Sequence, residues 1–68
     1  MQLRVGNLVK HKSGGPIMIV DWAPAYPVQM EVGCIWVEDR KTKAGHFQPA
    51  VLQPVFADGT PRNYDDET

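Results

Sequence analysis

One cysteine in 68 residues, Cys34, excludes an intramolecular disulfide and any cluster of thiolate ligands. No apolar run approaches the roughly 18 residues of a membrane-spanning helix, and no apolar leader opens the sequence, so the chain is expected to be cytoplasmic and free of the membrane. Also missing is the i, i+3, i+4, i+7 apolar spacing of an amphipathic helix, which six prolines and six glycines would interrupt. A strong excess of either charge is lacking too. Residues 1–55 carry a net +2 and residues 56–68 a net −3. The body therefore falls short of the basic stripe that phosphate-backbone binding usually shows.

What is present has a period of two. Leu8 to Lys12 alternates, with Val9 and His11 on one face and Leu8, Lys10 and Lys12 on the other. Ser13-Gly14-Gly15-Pro16 then forces a sharp reversal, because the glycines accept positive φ and Pro16 holds Gly15 out of the helical region. Ile17 to Trp22 forms a second strand with Met18, Val20 and Trp22 expected to point inward, since Asp21 shares the face of Ile17 and Ile19. Met30 to Glu38 forms a third, with Val32, Cys34 and Trp36 inward and Gly33 marking a bend or a close approach. Residues 39–43 read as a charged turn, 44–48 as a short fourth strand carrying Phe47, and 49–55 as one helical turn followed by a last strand that closes the core with Leu52 and Val55.

Five short strands in so short a chain predict an all-β fold, a small SH3-like barrel over residues 1–55, because closing the sheet removes edges that nothing else could cover. Residues 56–68 are polar, acidic and aperiodic, and are expected to form a flexible, disordered tail. A domain of this size buries only roughly 60% of its unfolded surface, which leaves self-association as the remaining route to extra stability.

Val5 to Val20, Val32 to Asp39 with its Cys34-Ile35-Trp36, then Phe47 and Leu52-Gln53-Pro54-Val55, resembles the YodC-like DUF2158 family of small bacterial and phage proteins. Ser13-Gly14-Gly15-Pro16 with Met18 and Val20 is the most specific part of the likeness. His11 departs from it, standing where an apolar residue is usual, and the loop from Ala23 to Met30 is longer than typical. The resemblance implies the fold, and an occurrence in phages, but no activity. A weaker likeness is to the type II dihydrofolate reductases, SH3-like barrels that assemble as tetramers around a shared pore. Here the counterpart of their pore-lining Gln-Ile-Tyr strand is Phe47-Gln48-Pro49-Ala50, which lacks the isoleucine and the tyrosine.

The chemistry-bearing residues point away from catalysis. His11, Cys34 and His46 have no pairwise metal-ligand spacing, and Cys34 alternates with Val32 and Trp36 on a face expected to be buried, so neither a metal nor a cysteine nucleophile is predicted. Ser13-Gly14-Gly15 lacks the lysine placement and following helix of a phosphate-binding loop. No pair of carboxylates is placed for general acid-base work, so the expectation is a non-enzymatic module with no cofactor.

Binding is the remaining class. Trp36 completes the inward face and is assigned to the core, Trp22 ends its strand at a loop and is open to either role, and Tyr26 between two prolines is the best exposed anchor. Lys10, Lys12, Arg40, Lys41 and Lys43 would make one basic patch if the barrel brought them together. The expected partner is a protein, self included, in the setting of a phage or mobile-element accessory or inhibitor protein. Nucleic-acid binding through the basic patch is the alternative, and a reductase-like tetramer the third.

Overall fold

A computed structural model describes residues 3–24 and 29–62. Five antiparallel strands form one sheet: β1 Leu8–His11, β2 Met18–Trp22, β3 Val32–Glu38, β4 Lys41–Phe47 and β5 Leu52–Pro54, with a 3-10 turn at Pro49–Val51 between the last two. Their order in the sheet is β4-β3-β2-β1-β5, so the chain runs as a meander and the last strand returns to pair with the first. All-β architecture is as expected, and so is the inward alternation except at Trp22, which is exposed. Val9, Met18, Val20, Val32, Cys34 and Leu52 are each at most 3% exposed, and Val55 caps the same side at 2%.

The reversal at residues 12–17 forms for the predicted reason. Gly14 and Gly15 sit at φ 111° and 117°, and the Gly14 amide donates to the His11 carbonyl at 2.9 Å. The charged turn is tighter than expected. β4 begins at Lys41, leaving only Asp39 and Arg40 to reverse the chain, and both adopt positive φ, 54° and 63°. Two positive-φ residues give a hairpin the twist that matches its strands, at a cost in backbone strain for the non-glycine Arg40.

Three further features depart from the sequence-based expectation. No strand ladder joins β4 to β5 among the described residues, so the sheet curls without closing by hydrogen bonds. Phe47 at the end of β4 packs instead against the His11 ring of β1 at 6.1 Å and the Trp36 ring of β3 at 6.2 Å between centroids. The β4 edge is protected by Lys41 and Lys43, and β5 by Pro54, which has no amide hydrogen to offer. Second, residues 56–62, expected in the tail, are held against the sheet. The Arg62 amide donates to the Pro54 carbonyl at 2.9 Å and Val55 bridges to Pro61. Residues 63–68 lie outside the described residues.

Third, Leu3 joins the core at 1% exposure although no strand contains it. The Gln29 side chain holds it by accepting the Leu3 amide at 2.9 Å and donating to the Leu3 carbonyl at 2.8 Å, in the manner of a neighbouring strand.

Cys34 is a core side chain, and its thiol is pushed up to about 11, first by burial and second by the charge of Asp21. A group whose folded pKa lies above its unfolded value stabilises the fold below the unfolded value and loses that contribution as pH rises through the folded one. Thermal midpoints should therefore fall between about pH 9 and pH 11, with part of the fall absent in Cys34→Ala. Identical alkaline profiles for the two chains would contradict the burial of the thiol.

Candidate interaction face

With Val9, Met18, Val20, Val32 and Cys34 turned inward, strand alternation turns Leu8, Ile17, Ile19, Ile35 and Val37 outward. The register lines them up. Leu8 pairs with Ile19, Ile19 with Ile35 and Ile35 with Ala44, giving one apolar row across four strands. In the next row Val37 pairs with Thr42, at the level of Ile17 and Lys10. Ile19 in the first row is 45% and Val37 in the second 70% exposed, so each row is open to water at that point.

The 56–62 turn walls this face on one side. It is tied by the Gly59 amide to the Phe56 carbonyl and the Phe56 amide to the Thr60 carbonyl, both at 2.8 Å. The Asp58 carboxylate accepts the Thr60 amide at 3.0 Å and its hydroxyl at 2.7 Å, and these bonds hold the carboxyl below its usual range. Gly59 faces the end of Ile17, and Ala57 lines a groove of about 460 Å³ with Leu8, Ile17, Ile19, Ile35 and Val37.

Gly33 organises the opposite end of the face. A bulge in β2 sets Val20 opposite Cys34 but Trp22 opposite Gly33, which crowds Asp21 and Trp22 over the glycine. A Cβ there would lie 3.0 Å from the Asp21 Oδ1, 3.1 Å from the Trp22 Cβ and 3.3 Å from His46 Cδ2. Trp22 crosses this gap to stack on the His46 ring, 5.2 Å between centroids and 24° between planes, and His46 Nδ1 lies 3.3 Å from the Glu31 carboxylate. The bulge thus ends the inward alternation that would have buried Trp22, which is 48% exposed.

The residues singled out from sequence are distributed as follows. Trp22 lies at one end of the outer face, and Tyr26 lies outside the described residues. Lys10 projects from β1 on the outer side and, with Lys12 in the turn that follows, lines a second groove of about 260 Å³ together with Gln53 and Pro61. Lys41 and Lys43 pair with Glu38 and Trp36, the opposite face of the sheet. Lys43 also lies 3.8 Å from Glu38, whose carboxylate accepts the Trp36 indole N–H at 3.4 Å, and Arg40 stands in the turn above. The five cations do not form one patch.

His11 uses Nδ1 to accept the Ser13 amide at 3.1 Å and hydroxyl at 2.6 Å, a local turn contact. Among the described residues no three His, Cys, Asp or Glu side chains are grouped to hold a metal, and no helix is long and apolar enough to cross a membrane. Phe47-Gln48-Pro49-Ala50, the counterpart of the reductase pore strand, leaves β4 and enters the 3-10 turn.

The outer aliphatic row was missed from sequence because Asp21 shares its alternation with Ile17 and Ile19. The available signal was the unbroken Ile17-Met18-Ile19-Val20, apolar on both faces of a strand.

Residues 4–52 match the family model described as "Uncharacterized small protein (DUF2158)", and the chain belongs to that family. Neither a curated protein nor a solved structure matches it.

Replacing Gly33 with alanine should push Trp22 off His46, because the Asp21 carboxylate can swing away from the methyl group but the Trp22 Cβ, 3.1 Å off and anchored to the backbone, cannot. The His46 ring-proton shifts, displaced by the indole ring current, should return toward random-coil values in the Gly33→Ala spectrum. Unchanged shifts would show that the stack does not depend on the glycine.

Proposed function

We propose that this DUF2158 member is a non-enzymatic, cytoplasmic protein-docking module whose contact surface is the outer face of its sheet. The observation that carries this is the aliphatic row Leu8, Ile19 and Ile35, extended by Ile17 and Val37, on the side of the sheet away from a core that is already filled. Exposed apolar surface costs about 25 cal/mol per Å² against burial, so a contiguous patch is worth covering. Such patches on a small domain mark contact sites.

The shape supports the same conclusion. The 56–62 turn converts a flat sheet face into a groove, and Trp22 at its end offers a large, stiff contact side chain already seated on His46. The partner is a protein that presents apolar side chains. An accessory or inhibitor protein of a phage or mobile element would use such a face by covering a surface on its target. Nucleic-acid binding loses its main support, since the cations it needs stand on two faces and Lys43 is paired with Glu38.

A photoreactive phenylalanine derivative placed at Ile19 should form protein adducts in the host cell. The same group at exposed Ala50, on the 3-10 turn, should not, and Val37→Lys should suppress the Ile19 adducts. Equal labelling from both positions, or none from Ile19, would overturn the assignment.

A further inference from the structure

We infer that the occupant of the outer face is a second copy of this chain, packed face to face with its strands running in the opposite sense. The inference rests on the docking face proposed above and adds the identity and orientation of the partner.

The charges at the two ends of the face carry it. Lys10 stands level with Ile17 and Val37, and Lys12, in the turn after β1, lines the same groove as Lys10, so one end of the outer face is positive. At the other end, Asp21 and Glu31 flank the Trp22–His46 stack, and the Asp21 carboxylate sits over Gly33. Between the two ends, the row of Leu8, Ile19, Ile35 and Ala44 carries no charge. Glu31 has His46 Nδ1 at 3.3 Å, so Asp21 is the main source of this negative end, and the other charged groups nearby are engaged, Arg62 of the bordering turn over the Phe56 ring. Asp58 on the bordering turn accepts two bonds from Thr60, and the Glu38–Lys43 pair lies on the opposite side of the sheet.

A closed dimer of identical chains uses the same patch twice, related by a two-fold axis. If that axis lay along the strands, the two positive ends would share one end of the interface and the two negative ends the other. If it lies in the interface at right angles to the strands, each positive end meets a negative end, and the contact is made twice. Both arrangements bury the same aliphatic rows at the roughly 10 Å spacing of stacked sheets, so charge decides between them. Like-charge juxtaposition suppresses the first.

The test uses the full chain in two charge-reversed forms, Lys10→Glu with Lys12→Glu, and Asp21→Lys with Glu31→Lys. In sedimentation velocity over a dilution series, the wild-type chain should dimerise, and each reversed form alone should dissociate at least about tenfold more readily. Mixed in equal amounts, the two forms should recover wild-type affinity, because one has two negative ends and the other two positive ends. The recovery should shrink in high salt. Should either double variant lose its β circular dichroism, Lys12→Glu and Glu31→Lys, single changes at exposed positions, carry the same comparison. A mixture no tighter than its components, or a wild-type chain monomeric at every concentration, overturns the inference. A monomeric chain whose Ile19 probe still captures a protein of another mass leaves the docking face standing and removes the second copy, whereas absence of any adduct removes both.

Discussion

The structure depends on one constraint: β2 and β3 are apolar on both faces, and the described residues cover only one. Met18 and Val20 turn in with Val32 and Cys34, and their neighbours Ile17, Ile19 and Ile35 must turn out. In a larger protein a strand of this kind would be covered by a helix layer on its second side. No helix longer than the 3-10 turn exists among the described residues to do so. The aliphatic surface is therefore fixed by alternation itself, since a one-residue slip that hid Ile19 would expose Met18 and Val20.

Two local devices shape that surface. The β2 bulge over Gly33 takes Trp22 out of the inward alternation and lays it on His46, so the largest side chain of the strand serves the surface instead of the core. The turn after β5 folds back as the Pro54 carbonyl accepts the Arg62 amide and the Phe56 amide donates to the Thr60 carbonyl, the two bonds that flank the Val55–Pro61 bridge. The same contacts that protect the β5 edge set Ala57 and Gly59 beside Ile17 and give the face a wall. Edge protection and groove formation are one event.

Most of the fold was legible in the sequence. Period-two alternation assigned Val9, Met18, Val20, Val32, Cys34, Leu52 and Val55 to the core, and the Ser13–Pro16 reversal follows from glycine and proline stereochemistry alone. Leu3 was not legible, because its burial depends on a side-chain clasp by Gln29, 26 residues away. Nor was the start of β4, because Lys41 to Lys43 carry the composition of a turn, and only the two-residue reversal at Asp39 and Arg40 draws them into the ladder. The site was less legible than the fold. Whether five lysines and arginines share a patch depends on strand parity, and that parity changed once Lys41 and Lys43 proved to be strand residues paired with Glu38 and Trp36. Trp22 was recognised as a candidate, but its outward position follows from a bulge that no local residue pattern announces.

The account stands on the outer isoleucines being wet in a single chain and dry in a complex. Methyl-resolved spectra recorded with a soluble paramagnetic agent measure this directly. Dilute protein should show strong broadening of the Ile19 and Ile35 methyl signals while Val9 and Val20 stay sharp, and concentrated protein should show the isoleucine signals protected as well. Isoleucine methyls as sheltered as Val20 at the lowest concentration, or equally broadened at every concentration, would contradict it.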